Sequence, residues 1–321
     1  MNLLIIGYSR LFINRILPII DELSFIESVS IAKFIEQGWN DAYKAIKKPV
    51  VLYDDFDTAI DQFRGELAYV STTNHSHFTW AKKTLNKGIH TIIDKPATLK
   101  VEETEELVAI AQEKNLLLSE STVYLYHPQM TLIKNFCDEK RLLPKYITFL
   151  FSFPPLDKDN FRYDKKLGGG AIMDTSPYLA SIGRFFFDEV PLSCSAIINE
   201  TTDSDVEISY SVLMKFSKGR SLVGHSGFTT EYINRINVLG PDLCLDVDRI
   251  FTLPEHIENT IKIRSRNESN DIIAPRANMF REYFLAVDQA LKNNHFQQFY
   301  RNMLMDAQTR EIIIKSNEYG D

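Results

Sequence analysis

The sequence predicts a two-part chain, a doubly wound parallel α/β sheet over residues 1–120 and an α+β part with a mostly antiparallel sheet over 121–321. Three observations carry this reading. Short apolar runs alternate with helical patterns up to residue 120, which is the rhythm of a parallel sheet. Longer strand-like stretches joined by tight turns follow. A single glycine, Gly7, ends the first apolar run, as a strand-to-helix turn requires.

The elements are read in order. Leu3-Leu4-Ile5-Ile6 is the first strand. Residues 13–23 have helical apolar spacing (Ile13, Ile16, Leu17, Ile20, Leu23), with Pro18 inside. Strands follow at 28–32, 50–53 and 67–71, then a helix near 78–86, a strand at 90–93, an amphipathic helix over 101–114 and a strand at 116–118. Beyond, 127–140 is a helix candidate, and strands are expected at 146–153, 193–199, 206–216, 220–228 and 234–239. Ser217-Lys218-Gly219 makes a hairpin turn and Gly240-Pro241-Asp242 another turn. Helices near 278–292 and 300–316 close the chain.

Composition narrows the function. The formal net charge is -7 and no Lys/Arg block stands out, which argues against a nucleic-acid partner. No apolar run approaches the ~18 residues that cross a membrane. Met1 to Ile6 lacks a basic flank and runs into the glycine turn, so it is a strand and not a signal peptide. Cys137, Cys194 and Cys244 are far apart and have no metal-binding spacing. Reduced thiols, no metal and a cytoplasmic location are expected.

Several segments carry chemistry. In Gly7-Tyr8-Ser9-Arg10-Leu11-Phe12 only the first glycine of a dinucleotide-binding G-x-G-x-x-G survives. Gly7 can make the tight turn, and Ser9 is small enough for a pyrophosphate to approach and can donate to it. A strand–turn–helix without a ligand is the other reading. Lys33 follows the second strand, where an NAD enzyme has an acidic residue. None appears before Glu36, so Lys33 is read either as a partner for a 2′-phosphate, favouring NADP(H) over NAD(H), or as a solvated lysine. Ser71, Thr72, Thr73 and Asn74 end the fourth strand and line a nicotinamide ribose or cap the next helix, which His77 begins. Asp94-Lys95-Pro96 ends the fifth strand, at the sheet edge where ligands bind. Tyr126-His127-Pro128-Gln129 and Gly168-Gly169-Gly170 lie downstream, with Asp174 and Tyr178 after them.

These segments, in this order, resemble the Gfo/Idh/MocA family. Residues 72–77 are similar to its T-P-N-x-x-H segment with Thr73 for proline, and 88–96 to G-K-H-V-x-x-E-K-P with Asp94 for glutamate. Residues 120–129 resemble the strand and loop ending in H-P-Q, and 167–178 resemble G-G-G-x-L-x-D-x-G-x-(H/Y). The resemblance implies a Rossmann domain, an open antiparallel sheet used for homodimer or homotetramer contacts, and a cis Lys95–Pro96 bond. It implies that Lys95 and Tyr178 flank the substrate carbon, with Asp174 four residues before Tyr178. A phenol of pKa ~10 beside an ammonium is a serviceable proton donor to an alkoxide formed by hydride transfer. Tyr124, His127, Arg162 and Gly169 are the expected substrate contacts, with a structural place for His127 and a structural salt bridge for Arg162 as the other readings. Residues 238–254, and tyrosine at 178, resemble family members that reduce ketosugars on nucleotide carriers. An NADPH-dependent ketoreductase of a nucleotide-linked deoxysugar is expected, with a dehydrogenase of free sugars, cyclitols or dihydrodiols, or a non-catalytic sensor, as alternatives.

Overall fold

A computed structural model describes residues 1–34, 40–139, 143–265 and 269–318. Glu36 and Lys140, the end of the expected helix 127–140, lie outside them. The chain divides into two compact units, Met1–Ser121 with Phe280–Leu304, and Thr122–Met279 with Met305–Asp321. It therefore returns to the first unit after leaving it, which a single cut at 120/121 does not describe.

The first unit holds β1 (Asn2–Ile6), β2 (Ser28–Ala32), β3 (Val50–Tyr53), β4 (Leu67–Val70), β5 (His90–Ile93) and β6 (Leu118–Glu120). They form one parallel sheet ordered β3-β2-β1-β4-β5-β6, the doubly wound Rossmann order. Leu3–Ile6 and Leu67–Val70 are buried on both faces, as parallel strands covered from two sides must be. Helix α1 (Phe56–Gln62) starts where the Asp55 carboxylate accepts the Thr58 amide at 2.6 Å, an N-cap worth about 1 kcal/mol. Helices α2 (His77–Asn86) and α3 (Val101–Glu113) follow.

Two expectations are corrected here. Residues 13–23 do not form one α-helix: a π-helical turn, Phe12–Ile16, runs into a 3-10 helix, Leu17–Glu22. Pro18 has no N–H to give to a carbonyl four residues back and crowds that carbonyl. The sixth strand begins at Leu118 and not at 116, because Asn115 adopts φ +51° after α3 and the Leu116 amide still bonds the Ala111 carbonyl at 2.8 Å.

The second unit holds α4 (Pro128–Glu139), β7 (Tyr146–Ser152), α5 (Ala171–Phe187), β8 (Ser193–Thr201), β9 (Glu207–Lys215), β10 (Ser221–Gly227), β11 (Ile233–Leu239), β12 (Leu243–Asp248), β13 (Asn259–Ser265) and β14 (Ser269–Ala274). The sheet order is β14-β13-β12-β11-β7-β10-β9-β8, antiparallel except between β7 and β10. The Ser217–Gly219 turn has Lys218 and Gly219 at φ +57° and +70°, the left-handed pair that matches strand twist. β12 to β14 were not anticipated, although Leu243, Leu245 and Val247 alternate with Cys244, Asp246 and Asp248 as a half-buried strand should.

Cross-strand register sorts the side chains of this sheet. Ile147, Phe149, Leu222, Met214, Ile236 and Val238 are buried on one face. Tyr146, Ile197, Leu213, Val223 and Leu239 are exposed on the other. Helix α5 packs on β7, β9 and β10. It is buried around most of its circumference, which accounts for its apolar sequence.

The return to the first unit is made by α6 (Met279–Asn293) and the first turns of α7 (Gln297–Glu318). Tyr283 donates to Ser119 Oγ at 2.7 Å, Phe284 stacks on Tyr69 at 6.0 Å, and Tyr300 donates to the Leu116 carbonyl. All three contacts fall on β4, β6 and the turn before β6. No helix among the described residues is long and apolar enough to cross a membrane.

Candidate active site

The sheet order places the ends of β1 and β4 side by side, at the point where strand order reverses. Gly7 has φ +106°, and a Cβ there would collide with the Ser71 carbonyl at the end of β4. Only glycine allows this approach of two strand ends. The Gly7 amide donates to the Ala32 carbonyl at 3.0 Å, tying β2 into the same turn. Ser9 Oγ accepts the Phe12 amide at 3.0 Å and lies 2.6 Å from Ser71 Oγ. The turn therefore keeps the close backbone packing a pyrophosphate needs, with a serine where the second glycine would stand, and it fits a dinucleotide. Arg10 is exposed and Leu11 half-buried.

Two residues expected to hold cofactor have partners within the protein. Tyr8 is buried, and its hydroxyl donates to Asn40 Oδ1 at 2.6 Å and accepts the Tyr43 amide at 3.2 Å. Burial pushes its phenol up. Lys33 is buried and its ammonium lies 3.0 Å from an Asp54 carboxylate oxygen. The lysine expected to meet a 2′-phosphate is thus already paired with an anion.

The loops after β4 and β5 are laced together. Ser76 Oγ donates to Thr72 Oγ1 at 2.7 Å, and Thr73 Oγ1 lies 3.1 Å from His75 Nδ1. Asn74 is buried. His77 lies between two carbonyls, Nδ1 2.8 Å from Pro96 O and Nε2 3.1 Å from Thr72 O. Burial lowers its pKa against the opposing pull of Asp94. The Asp94 carboxylate accepts the Lys95 amide at 2.8 Å and Ser121 Oγ at 3.1 Å. It therefore fixes the backbone that presents Lys95. The Lys95–Pro96 bond is cis.

In the second unit, Asp174 and Tyr178 both lie on α5, four residues apart, and so share a face. Asp174 Oδ2 is 2.8 Å from Arg162 Nε. The glycine run explains how Arg162 reaches it. A Cβ on Gly169 would collide with the carbonyls of Phe161, Arg162 and Asp164, and the Gly169 and Gly170 amides donate to the Asp164 and Arg162 carbonyls at 2.9 Å. The glycines let the Phe161–Tyr163 turn lie directly on the start of α5.

Tyr124 and His127, expected as substrate contacts, are buried. The Tyr124 hydroxyl lies 2.8 Å from Ser181 Oγ, and burial raises its phenol far above the usual value. His127 Nδ1 accepts the Gln129 amide at 3.1 Å, and burial lowers its pKa.

The sequence reading missed Glu207 and the rings around Tyr178. Glu207, at the start of β9, accepts the Ile172 amide at the start of α5, and a Cβ on Gly170 would strike its carboxylate. Burial raises its pKa despite that bond. Phe151 and Phe251 have ring centroids 4.9 Å and 5.4 Å from that of Tyr178. No local pattern marks these residues, since each is far from α5 in sequence.

Residues 1–122 match the model of an oxidoreductase family with an NAD-binding Rossmann fold, and residues 144–243 match the GFO/IDH/MocA C-terminal domain. Together the two matches span well over half of the chain. The chain belongs to the Gfo/Idh/MocA family. This Gfo/Idh/MocA chain is an NAD(P)-dependent oxidoreductase, with the doubly wound and antiparallel sheets the sequence predicts. It is 24% identical to a dTDP-3,4-didehydro-2,6-dideoxy-alpha-D-glucose 3-reductase of Actinomadura kijaniata, over 96% of this chain and 93% of the relative. It is 28% identical to the protein of the same name from Saccharopolyspora spinosa, over 68% of this chain and 66% of the relative. Among solved structures, KijD10, a 3-ketoreductase from Actinomadura kijaniata in complex with NADP and TDP-benzene, superposes with a TM-score of 0.89. Identity there is 22%, and the match covers 99% of this chain and 98% of the other. The likeness establishes the fold.

Proposed function

We propose that this oxidoreductase reduces a keto group on a dTDP-linked deoxysugar with NADPH. The likeness to a dTDP-sugar 3-reductase over almost the whole chain carries the reading. Two further observations support it. KijD10 holds NADP with a TDP compound, and structures of it exist with a tyrosine replaced by phenylalanine and a lysine replaced by alanine or glutamate. Those are the residue types at 178 and 95 here.

The bound reduced nicotinamide supplies hydride to the carbonyl carbon. Tyr178 gives its phenolic proton to the oxygen, which would otherwise become a free alkoxide. Lys95 supplies the positive charge that makes the remaining phenolate less costly. Arg162, held by Asp174 at 2.8 Å, binds sugar or phosphate oxygens through its planar donors. Gly7, Ser9 and Ser71–Asn74 hold the dinucleotide, and Asp94 and Pro96 shape the loop that carries Lys95. With NADPH, the Lys33 ammonium exchanges Asp54 for the 2′-phosphate.

The test follows the loss of reduced-nicotinamide absorbance with a dTDP-linked 3-keto-deoxysugar and with free keto-sugars, each with NADPH and NADH. The linked substrate is expected to show kcat/KM at least about 100-fold higher, the equivalent of about one or two lost charge-assisted contacts. Equal turnover of the free sugars would overturn the assignment.

We further infer a homodimer or homotetramer assembled through the outer face of the eight-stranded sheet. Tyr146, Ile197, Leu213, Val223 and Leu239 are exposed on that one face, and such a patch marks an interface. Light scattering is expected to give at least twice the chain mass, falling to monomer for Leu213→Asp/Val223→Asp. A monomeric parent protein would rule the interface out.

A further inference from the structure

Three side-chain amides of the second unit converge on one irregular stretch of backbone. The chain leaves β12 at Asp248, and Arg249 takes φ +51°, a region that side chains other than glycine avoid. Asn259 Nδ2 donates to the Asp248 carbonyl at 2.7 Å. The Arg249 amide donates to the Asn234 carbonyl at 2.5 Å. Gln129 Nε2 donates to the Ile250 carbonyl at 2.9 Å. The Phe251 amide donates to Asn234 Oδ1 at 3.0 Å, and Asn234 Nδ2 donates to Thr252 Oγ1 at 2.7 Å. Asn259 Nδ2 also reaches Gln129 Oε1 at 2.8 Å, so these two amides brace each other. Gln129, Asn234 and Asn259 are all buried.

Every residue of the stretch is thereby fixed, and its one large ring faces Tyr178. Phe251 is buried among Tyr124, Phe149 and Phe151, with centroids at 5.0, 5.1 and 5.6 Å. Its centroid is 5.4 Å from that of Tyr178, whose other neighbours are Phe151 and Tyr124 at 4.9 and 5.8 Å. An interior filled only for volume would use apolar side chains, which need no hydrogen bonds. Three interior amides spent on the main chain of one turn hold a position instead.

We propose that Gln129, Asn234 and Asn259 clamp the Asp248–Thr252 turn as a rigid wall, and that Phe251 on that wall sets the position of the Tyr178 ring. These four act as positioning residues for proton transfer, so the inference rests on Tyr178 as the proton donor. A phenol that swings through its ring torsions spends part of its time out of reach of the carbonyl oxygen. Misplacement of about 1 Å can cost about 100-fold in rate, and a ring held edge-on by Phe151 and at a tilt by Phe251 avoids that loss.

The experiment is a double-mutant cycle on kcat with NADPH and the dTDP-linked 3-keto-deoxysugar. Phe251→Leu and Gln129→Met are each made in the parent and together with Tyr178→Phe. Each is expected to lower kcat about tenfold in the parent, with KM for NADPH unchanged, and less than about twofold when combined with Tyr178→Phe. Gln129→Met keeps the side-chain volume and serves where Phe251→Leu does not fold. Equal losses in both backgrounds, or no loss in the parent, would overturn the proposal. Parental turnover by Tyr178→Phe alone would remove the proton donor itself, a different failure that takes this proposal with it.

Discussion

Tyr178→Phe is expected to lower kcat by roughly 10²–10⁴-fold, the usual worth of a positioned general acid, while KM for NADPH stays within about threefold. The substitution removes one oxygen and keeps the ring that packs against Phe151 and Phe251, so it tests chemistry and not folding. Lys95→Ala should cost at least as much. Here the pH profile separates the roles, because loss of the ammonium moves the apparent pKa of the acid upward while loss of the phenol abolishes that limb of the profile. Steady-state rates between pH 6 and 10 provide the check. Unchanged kcat in both variants would remove these residues from the reaction.

The largest expected effect on stability comes from the buried pair of Arg184 on α5 and Asp306 on α7. Nε meets Oδ1 and Nη2 meets Oδ2, each at 2.8 Å, and both side chains are less than a tenth exposed. Desolvation opposes the charge on Arg184, but attraction to Asp306 wins and holds the guanidinium above its ordinary pKa. Asp306→Ala leaves that cation buried without its anion and is expected to cost about 3–5 kcal/mol. Arg184→Met combined with Asp306→Leu should recover most of the loss, since the charge and its desolvation leave together. Urea unfolding followed by circular dichroism measures both. A double variant no more stable than Asp306→Ala would show that the pair does more than compensate its own burial. Because α5 carries Asp174 and Tyr178, the single variant is also expected to lose activity before it unfolds.

Local pattern was enough for the parallel sheet, the hairpin at 217–219, the long helices and the family motifs, since each of these signals lies within a few neighbouring residues. It did not reach partners that are distant in sequence. Nothing near Lys33 in sequence announces that Asp54, after the neighbouring strand, pairs with it. Asp94 Oδ1 accepts its own neighbour's amide and the Ser121 hydroxyl, and the second of these lies far along the chain. The glycine run at 168–170 is approached by the carbonyls of Phe161, Arg162 and Asp164 at Gly169 and by the Glu207 carboxylate at Gly170, the last of them far along the chain. Pro18 was visible in the sequence, and its effect was underrated: one missing donor turned an expected α-helix into a π-helical turn and a 3-10 helix.

The return of residues 280–304 to the first unit also constrains how the protein is made. On the ribosome, β1 to β6 emerge first, but the hydroxyls that tie down Ser119 and the Leu116 carbonyl belong to Tyr283 and Tyr300. At roughly 5–20 residues per second, the whole second sheet is synthesised before they arrive. The nucleotide-binding unit thus waits unfinished for about ten to forty seconds of translation, with one side of β6 unsealed, until Tyr283 and Tyr300 have been made. Its integrity depends on residues 280–304 having been translated, so a product terminated before them lacks the hydroxyls that tie down Ser119 and the Leu116 carbonyl.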